Sequence, residues 1–138
     1  RRNMANFFAQ RTAETVLTPH DGEFSALTGE RPSADRIEDT RKAAAALQAV
    51  VLLKGSTTVV AEPGGNVLCI TNGDTRLATA GSGDVLTGVI AALLAMGLDA
   101  FHAAAAGAFI HGNALERLPQ CGVVASDIVR EIQVGGNE

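Results

Sequence analysis

The sequence predicts an α/β fold with three layers, helices packed on both faces of a central sheet, and three observations carry that prediction. Val50-Val51-Leu52-Leu53 is a continuous apolar run without alternation, the pattern of a strand covered on both sides. Residues 57–61 and 67–70 are β-branched, apolar stretches on either side of Pro63-Gly64-Gly65, which reads as a hairpin with a longer turn. Residues 85–96 are an apolar run of helical length closed by Gly97, and further helical segments precede and follow the strands.

In chain order, residues 3–10 form a short, weakly helical piece with Met4, Phe7 and Phe8 as its apolar side. Thr15-Val16-Leu17-Thr18 is a short buried strand, residues 19–23 a loop, and residues 24–28 a helical turn or two closed by Gly29. Pro32-Ser33 opens the next helix with Ser33 as its N-cap, and Ile37, Thr40, Ala44 and Leu47 share its buried face. Glu38 and Lys42 pair across one turn, so the charges between 35 and 42 read as a solvated helix face. After the hairpin and the 85–96 helix, a second helix runs from about 100 to 118. Ser126 caps a last one over 127–132. A strand buried on both faces needs more neighbours than this chain offers, so residues 1–138 read as one truncated domain, the C-terminal part of a larger sheet.

At 138 residues there is room for one domain at most. Apolar residues make up 46% and charged ones 19%, the balance of a soluble globular protein. A formal net charge of -4 argues against a general binder of nucleic acid or of membrane surfaces, because no basic patch is present to release counterions from phosphates. The longest apolar run is too short to span a bilayer and no signal-peptide pattern opens the chain, so a cytoplasmic location is the default. Cys69 and Cys121 lack metal spacing, and Cys69 within Val67-Leu68-Cys69-Ile70 reads as a small buried hydrophobe.

The stretch with chemical character is the glycine-punctuated loop ending Ala80-Gly81-Ser82-Gly83-Asp84-Val85-Leu86-Thr87-Gly88, which runs directly into the 85–96 helix. The first N–H groups of a helix have no partners within it and sit at its positive end, so they suit an anion. Gly81 and Gly83 let the backbone bend and approach a ligand closely, with the Asp84 carboxylate beside the hole. His111 and Asn113 lie on an alanine-rich helix, where packing or a helix–helix hydrogen bond is their expected use. Ala103 to Ala106 and Gly107 allow that helix to approach a neighbour closely. Taken alone, His20 reads as a satisfied loop histidine and Lys54 as a solvated strand end.

Thr18-Pro19-His20-Asp21-Gly22-Glu23-Phe24, Leu53-Lys54-Gly55-Ser56-Thr57-Thr58 and the Gly81-Ser82-Gly83-Asp84 string occur in that order. Together they resemble the ADP/ATP-dependent NAD(P)H-hydrate dehydratases, the carbohydrate-kinase-like branch of the ribokinase-like superfamily, from Val16 onward. The resemblance implies a three-layer ribokinase-like fold. It also implies dehydration of (6S)-NADHX or (6S)-NADPHX to NADH or NADPH, with ADP or ATP converted to AMP or ADP and phosphate. The ring hydroxyl would be phosphorylated and phosphate would then leave.

In that picture Asp84 takes the hydroxyl proton, and the backbone N–H groups of Gly81, Ser82 and Gly83 hold the charge on the transferring phosphoryl oxygens. His20 and Glu23, with Asp84, face the hydrated nicotinamide. Lys54, Gly55, Ser56, Thr57 and Thr58, with Gly83, match the family's adenine-nucleotide segments, and residues 74–83 line the nucleotide in relatives. Mg²⁺ accompanies the nucleotide, with no dedicated protein metal site, and a homo-oligomer is implied. Relatives usually carry Pro in place of Asp21 and commonly Gly in place of Ala80. A ribokinase-like kinase of a small alcohol or vitamin precursor, and a nucleotide-binding fragment without turnover, are the alternatives. His20 with Gly22-Glu23-Phe24 favours the dehydratase over the kinase.

Overall fold

The computed structural model describes residues 4–132. Four strands form one mixed sheet in the order β1 (Val16–Leu17), β2 (Val50–Leu53), β3 (Thr58–Ala61) and β4 (Val67–Ile70). β1 lies parallel to β2, with Val16 opposite Val50. The crossover between them carries α2 (Asp21–Thr28) and α3 (Arg36–Leu47). β2–β3 and β3–β4 are antiparallel, and the hairpin stands where Pro63-Gly64-Gly65 predicts it. A short helix, α1 (Met4–Ala9), precedes β1. α4 (Ser82–Ala95), α5 (Ala100–Asn113) and α6 (Ala125–Glu131) follow the sheet.

β2 is buried along its whole length, as its uninterrupted apolar run requires. Val50 and Leu52 face the cluster built with α4 and α5, which includes Leu86, Ile90, Leu93 and Ala104. Val51 and Leu53 face the opposite cluster, with Phe24, Ala44 and Leu47 from α2 and α3. The sheet therefore separates two apolar layers, and a residue's place in β2 decides which of them it joins.

Small residues set the distance between α4 and α5. A Cβ on Gly107 would stand 2.6 Å from Cγ1 of Ile90, so the glycine lets the two helices touch. α5 ends at Asn113 and the chain continues as a 3₁₀ turn, Ala114–Arg117, close to the predicted end at 118.

Several local expectations are corrected. α2 begins at Asp21, three residues before the predicted start at 24, because His20 caps it. α3 is capped by Asp35, whose Oδ1 accepts the Glu38 N–H at 3.0 Å. Ser33 instead donates its N–H to Asp39 Oδ2 at 2.6 Å and is no cap. The buried stripe of α3 starts at Thr40, and Ile37, a turn earlier, is 49% exposed.

Phe7 is exposed beside the half-buried Met4. α6 starts at Ala125, not after a Ser126 cap. The Asp127 carboxylate reaches back to the Val124 N–H at 3.0 Å. Cys69 is exposed, because α3 covers β2 and β3 while β4 is the margin of the sheet.

Candidate active site

The site begins at the start of α2. His20 is extended (φ -83°, ψ 174°), and its Nδ1 accepts the N–H groups of Gly22 at 3.0 Å and Glu23 at 3.2 Å. Glu23 returns the favour, its Oε2 accepting the His20 N–H at 2.8 Å, so the two residues cap the helix reciprocally. An accepting Nδ1 leaves the proton of the neutral ring on Nε2, which points to solvent and lies 3.5 Å from Glu23 Oε1. The His20 N–H, helped by the nearby Lys54 charge, holds the Glu23 carboxyl below its usual range. Asp21 occupies the first helical position, where Pro is equally at home, and pairs with Arg36 at 2.9 Å.

Lys54 leaves the end of β2 alongside this cap. Its N–H donates to the Pro19 carbonyl at 2.9 Å, and its own carbonyl accepts from Arg36 Nη2 at 2.9 Å. A Cβ on Gly55 would stand 2.7 Å from that guanidinium, so glycine is the residue that admits it. Lys54 Nζ is 3.5 Å from Glu23 Oε2, and 3.3 Å from where a Cβ on Gly83 would stand. Thus three segments far apart in sequence, those of His20–Glu23, Lys54 and Gly83, meet at one rim. Gly55 and Ser56 continue exposed from Lys54 into the turn before β3, with Thr57 and Thr58 half-buried behind them.

The loop that leads to α4 is held in place by one arginine. Arg76 forks onto the Asp74 carboxylate, with Nη2 2.6 Å from Oδ2, and holds that carboxyl below its ordinary range. Its Nη1 donates to the carbonyls of Leu115 and Leu118, both at 2.9 Å. Gly81 then turns with φ 85°, left-handed backbone that glycine tolerates, and a Cβ there would press on Ala125 Cβ at 3.2 Å.

The N–H groups of Gly81 and Gly83 have no hydrogen-bond partner among the described residues. The Ser82 N–H does have one, donating to the Thr79 carbonyl at 3.2 Å, so the predicted anion hole of three donors is reduced to two in this conformation. Ser82 contributes its side chain instead, its Oγ lying 3.1 Å from Nε2 of the buried His111. Asp84 is exposed on the first turn of α4; its N–H donates to the Gly81 carbonyl at 3.1 Å, and its carboxylate makes no hydrogen bond or ion pair to a described residue. No three His, Cys, Asp or Glu side chains cluster as metal ligands among the described residues.

Arg36, Arg76 and Asn72 take parts that the sequence did not announce. Asn72 donates through Nδ2 to the Phe109 carbonyl and to Asn113 Oδ1, both at 2.8 Å. Gly55 and Gly112 were the available signals, since each is small where a neighbouring side chain needs the space, at Arg36 and Asn72 respectively. The reading of His111 and Asn113 as hydrogen-bonding helix residues agrees with these contacts.

A mixed sheet with helices on both faces and an anion-suited helix start at its edge has the layout of the ribokinase-like fold. A ribokinase-like superfamily protein from Enterococcus faecalis matches the fold with a TM-score of 0.76 at 24% identity, over 93% of this chain and 48% of that one. The family model for NAD(P)H-hydrate dehydratase matches residues 2–133, and the chain belongs to that family.

A bifunctional NAD(P)H-hydrate repair enzyme from Mycobacterium leprae is 56% identical over 104 residues, 75% of this chain and 22% of that protein. An ADP-dependent (S)-NAD(P)H-hydrate dehydratase from Neisseria meningitidis is 42% identical over 117 residues, 83% of this chain and 40% of that protein. The ADP/ATP-dependent NAD(P)H-hydrate dehydratase from Bacillus subtilis, co-crystallised with ATP and Mg²⁺, superposes with a TM-score of 0.82 at 33% identity. The match covers 89% of this chain and 47% of that one. The chain therefore spans less than half the length of these relatives.

Proposed function

We propose that the protein of which residues 1–138 form part of one ribokinase-like domain dehydrates (6S)-NAD(P)HX to NAD(P)H at the expense of ADP or ATP. The observation that carries this reading is the meeting of His20–Glu23, Lys54 and Gly83 at one rim, in a chain that belongs to the hydrate dehydratase family. The activities named for the relatives from Neisseria meningitidis and Bacillus subtilis support the same reaction.

In this reading Asp84 is the base. Its carboxylate is exposed, uncommitted to any described partner, and the residue follows two free N–H groups in the chain. It takes the proton of the ring hydroxyl as that oxygen attacks the terminal phosphorus, and the bond to the bridging oxygen breaks to release AMP or ADP. The N–H groups of Gly81 and Gly83 hold the charge gathering on the equatorial oxygens, with the Lys54 ammonium beside them. The ring nitrogen's electron pair then expels the phosphate from its carbon as inorganic phosphate, and the neighbouring ring carbon gives up a proton to solvent, which restores the ring double bond and leaves NAD(P)H. His20 and Glu23 face the nicotinamide side, with Nε2–H as the donor available to it. Gly55, Ser56, Thr57 and Thr58 follow the nucleotide.

A Mg²⁺ ion arriving with the nucleotide would need little from the protein beyond a nearby carboxylate, and the exposed Asp84 would supply that negative charge. Bound there, the ion would offset the repulsion between that carboxylate and the phosphates. Homo-oligomeric assembly and a cytoplasmic location belong to the same reading, and sedimentation of the full protein checks the first.

Asp84→Asn tests the assignment. With NADHX and ADP or ATP, the wild type should produce NADH, read at its absorbance. The variant should lose about two to four orders of magnitude in kcat while nucleotide still binds. Undiminished turnover in the variant would remove Asp84 as the base. A wild type that leaves NADHX untouched and phosphorylates a small alcohol would establish the kinase instead. Nucleotide binding with no turnover of either substrate would leave a binding module.

A further inference from the structure

We propose that His111 is a positioning residue for the phosphoryl-holding turn of α4, acting through the Ser82 hydroxyl; this rests on the dehydratase reading above. Ser82 is 1% exposed and His111 is 4% exposed, and they meet across the α4–α5 interface at 3.1 Å. It is the only hydrogen bond either side chain makes to a described residue. The two free N–H groups, of Gly81 and Gly83, belong to the residues on either side of Ser82 in the chain. Fixing Ser82 therefore fixes both donors. The backbone N–H of Ser82 is spent on Thr79, which leaves the side chain as its link to the rest of the fold.

The same part of α5 grips the loop elsewhere. Two residues before His111, the Phe109 carbonyl accepts from Asn72, and two residues after it Asn113 Oδ1 does the same. A Cβ on Gly112 would collide with the Asn72 side chain, so the loop lies directly on the helix. Asn72 and Arg76 set the path of the loop, but their side-chain hydrogen bonds go to Phe109, Asn113, Asp74, Leu115, Leu118 and Pro119, outside the turn that holds the free N–H groups. Among the described residues, only His111 reaches that turn from α5 through a side-chain hydrogen bond. Burial holds the ring neutral, so the contact is a hydrogen bond between neutral groups whose worth lies in direction. Positioning to better than 1 Å is what phosphoryl transfer demands of such donors.

The test uses the full protein with NADHX and nucleotide, assayed at a temperature where circular dichroism shows every variant folded. His111→Phe should lower kcat by about tenfold to a hundredfold, with KM for NADHX within about twofold of wild type. His111→Gln, which keeps a polar atom near the Nε2 position, should recover most of the loss. Ser82→Ala should match His111→Phe, and the double variant should be no worse than the poorer single one, because both remove one contact. A folded His111→Phe with wild-type kcat overturns the proposal. So does a Gln variant as poor as Phe, or losses that multiply in the double variant. If His111→Phe does not fold, Ser82→Ala decides, and wild-type kcat there overturns it. A wild type without turnover on NADHX removes the dehydratase reading and this proposal with it. Turnover in the wild type with indifferent variants removes this proposal alone.

Discussion

His20 and His111 are two imidazoles put to opposite uses by their surroundings. His20 stands in solvent with one ring nitrogen committed to two backbone donors, whereas His111 is enclosed between α4 and α5. Desolvation pushes the His111 ring from its ordinary 6.5 down to about 4, with the Ser82 backbone opposing it. The unfolded chain therefore binds a proton on this residue at a pH where the folded chain does not. Stability is full above about pH 6.5, falls as the pH drops from there to about 4, and loses no more from this group below that.

The loss over that window should be about 3 kcal/mol, by the usual conversion of a pKa difference. Urea unfolding at pH 7 and pH 4.5 checks it, and the difference should shrink markedly in His111→Gln. The sequence made the class of contact legible for His111, because an alanine-rich helix offers a polar ring little else. It could not name Ser82, since 29 residues of sequence separate the two and no periodicity relates them.

Where α4 crosses α5, two glycines make contrasting demands. Gly107 faces Ile90, itself 3% exposed and unable to retreat, so Gly107→Ala sets the gain in helix propensity of about 1 kcal/mol against overpacking of about 1–3 kcal/mol. Overpacking should win, lowering the urea midpoint at unchanged slope. Gly88 lies in α4, two residues before Ile90, with nothing within 4 Å of a Cβ. Gly88→Ala should therefore raise stability by up to about 1 kcal/mol in the same measurement.

Among the elements, β2, the hairpin and the span of α4 were legible because apolar continuity and glycine punctuation act locally. The starts of α2, α3 and α6 were not. Their caps are a histidine ring, an aspartate two residues beyond Ser33, and a valine whose N–H is served by Asp127. Such choices depend on neighbours in space as well as on propensity.

At the level of the whole molecule, the sheet is a partition between two apolar layers, and β2 lines both. Leu52 and Leu53 are each fully enclosed, one on each side. Truncating either to alanine should cost about 2–5 kcal/mol, a large share of the stability of any domain this size. Thermal unfolding of Leu52→Ala and Leu53→Ala measures it, and a loss below about 1 kcal/mol at either would mean that the layer collapses to fill the gap. Residues 20, 54 and 83 approach one another only once this partition exists, which is why composition and spacing gave their types but not their meeting. The family resemblance set these segments around one nucleotide, and in the fold Lys54 Nζ lies 3.5 Å from Glu23 Oε2 and 3.3 Å from where a Cβ on Gly83 would stand.

The left-handed turn at Gly81 leans on Ala125, and that contact has a temporal side. Every motif residue of the site has been synthesised by the time Asp84 is added, yet the wall behind Gly81 belongs to a helix encoded some forty residues later. A ribosome adding roughly 5–20 residues per second reaches it a few seconds afterwards. During that interval the nascent chain carries all of the site's chemistry without its final shape. Nucleotide offered to it then would meet a turn still free to open.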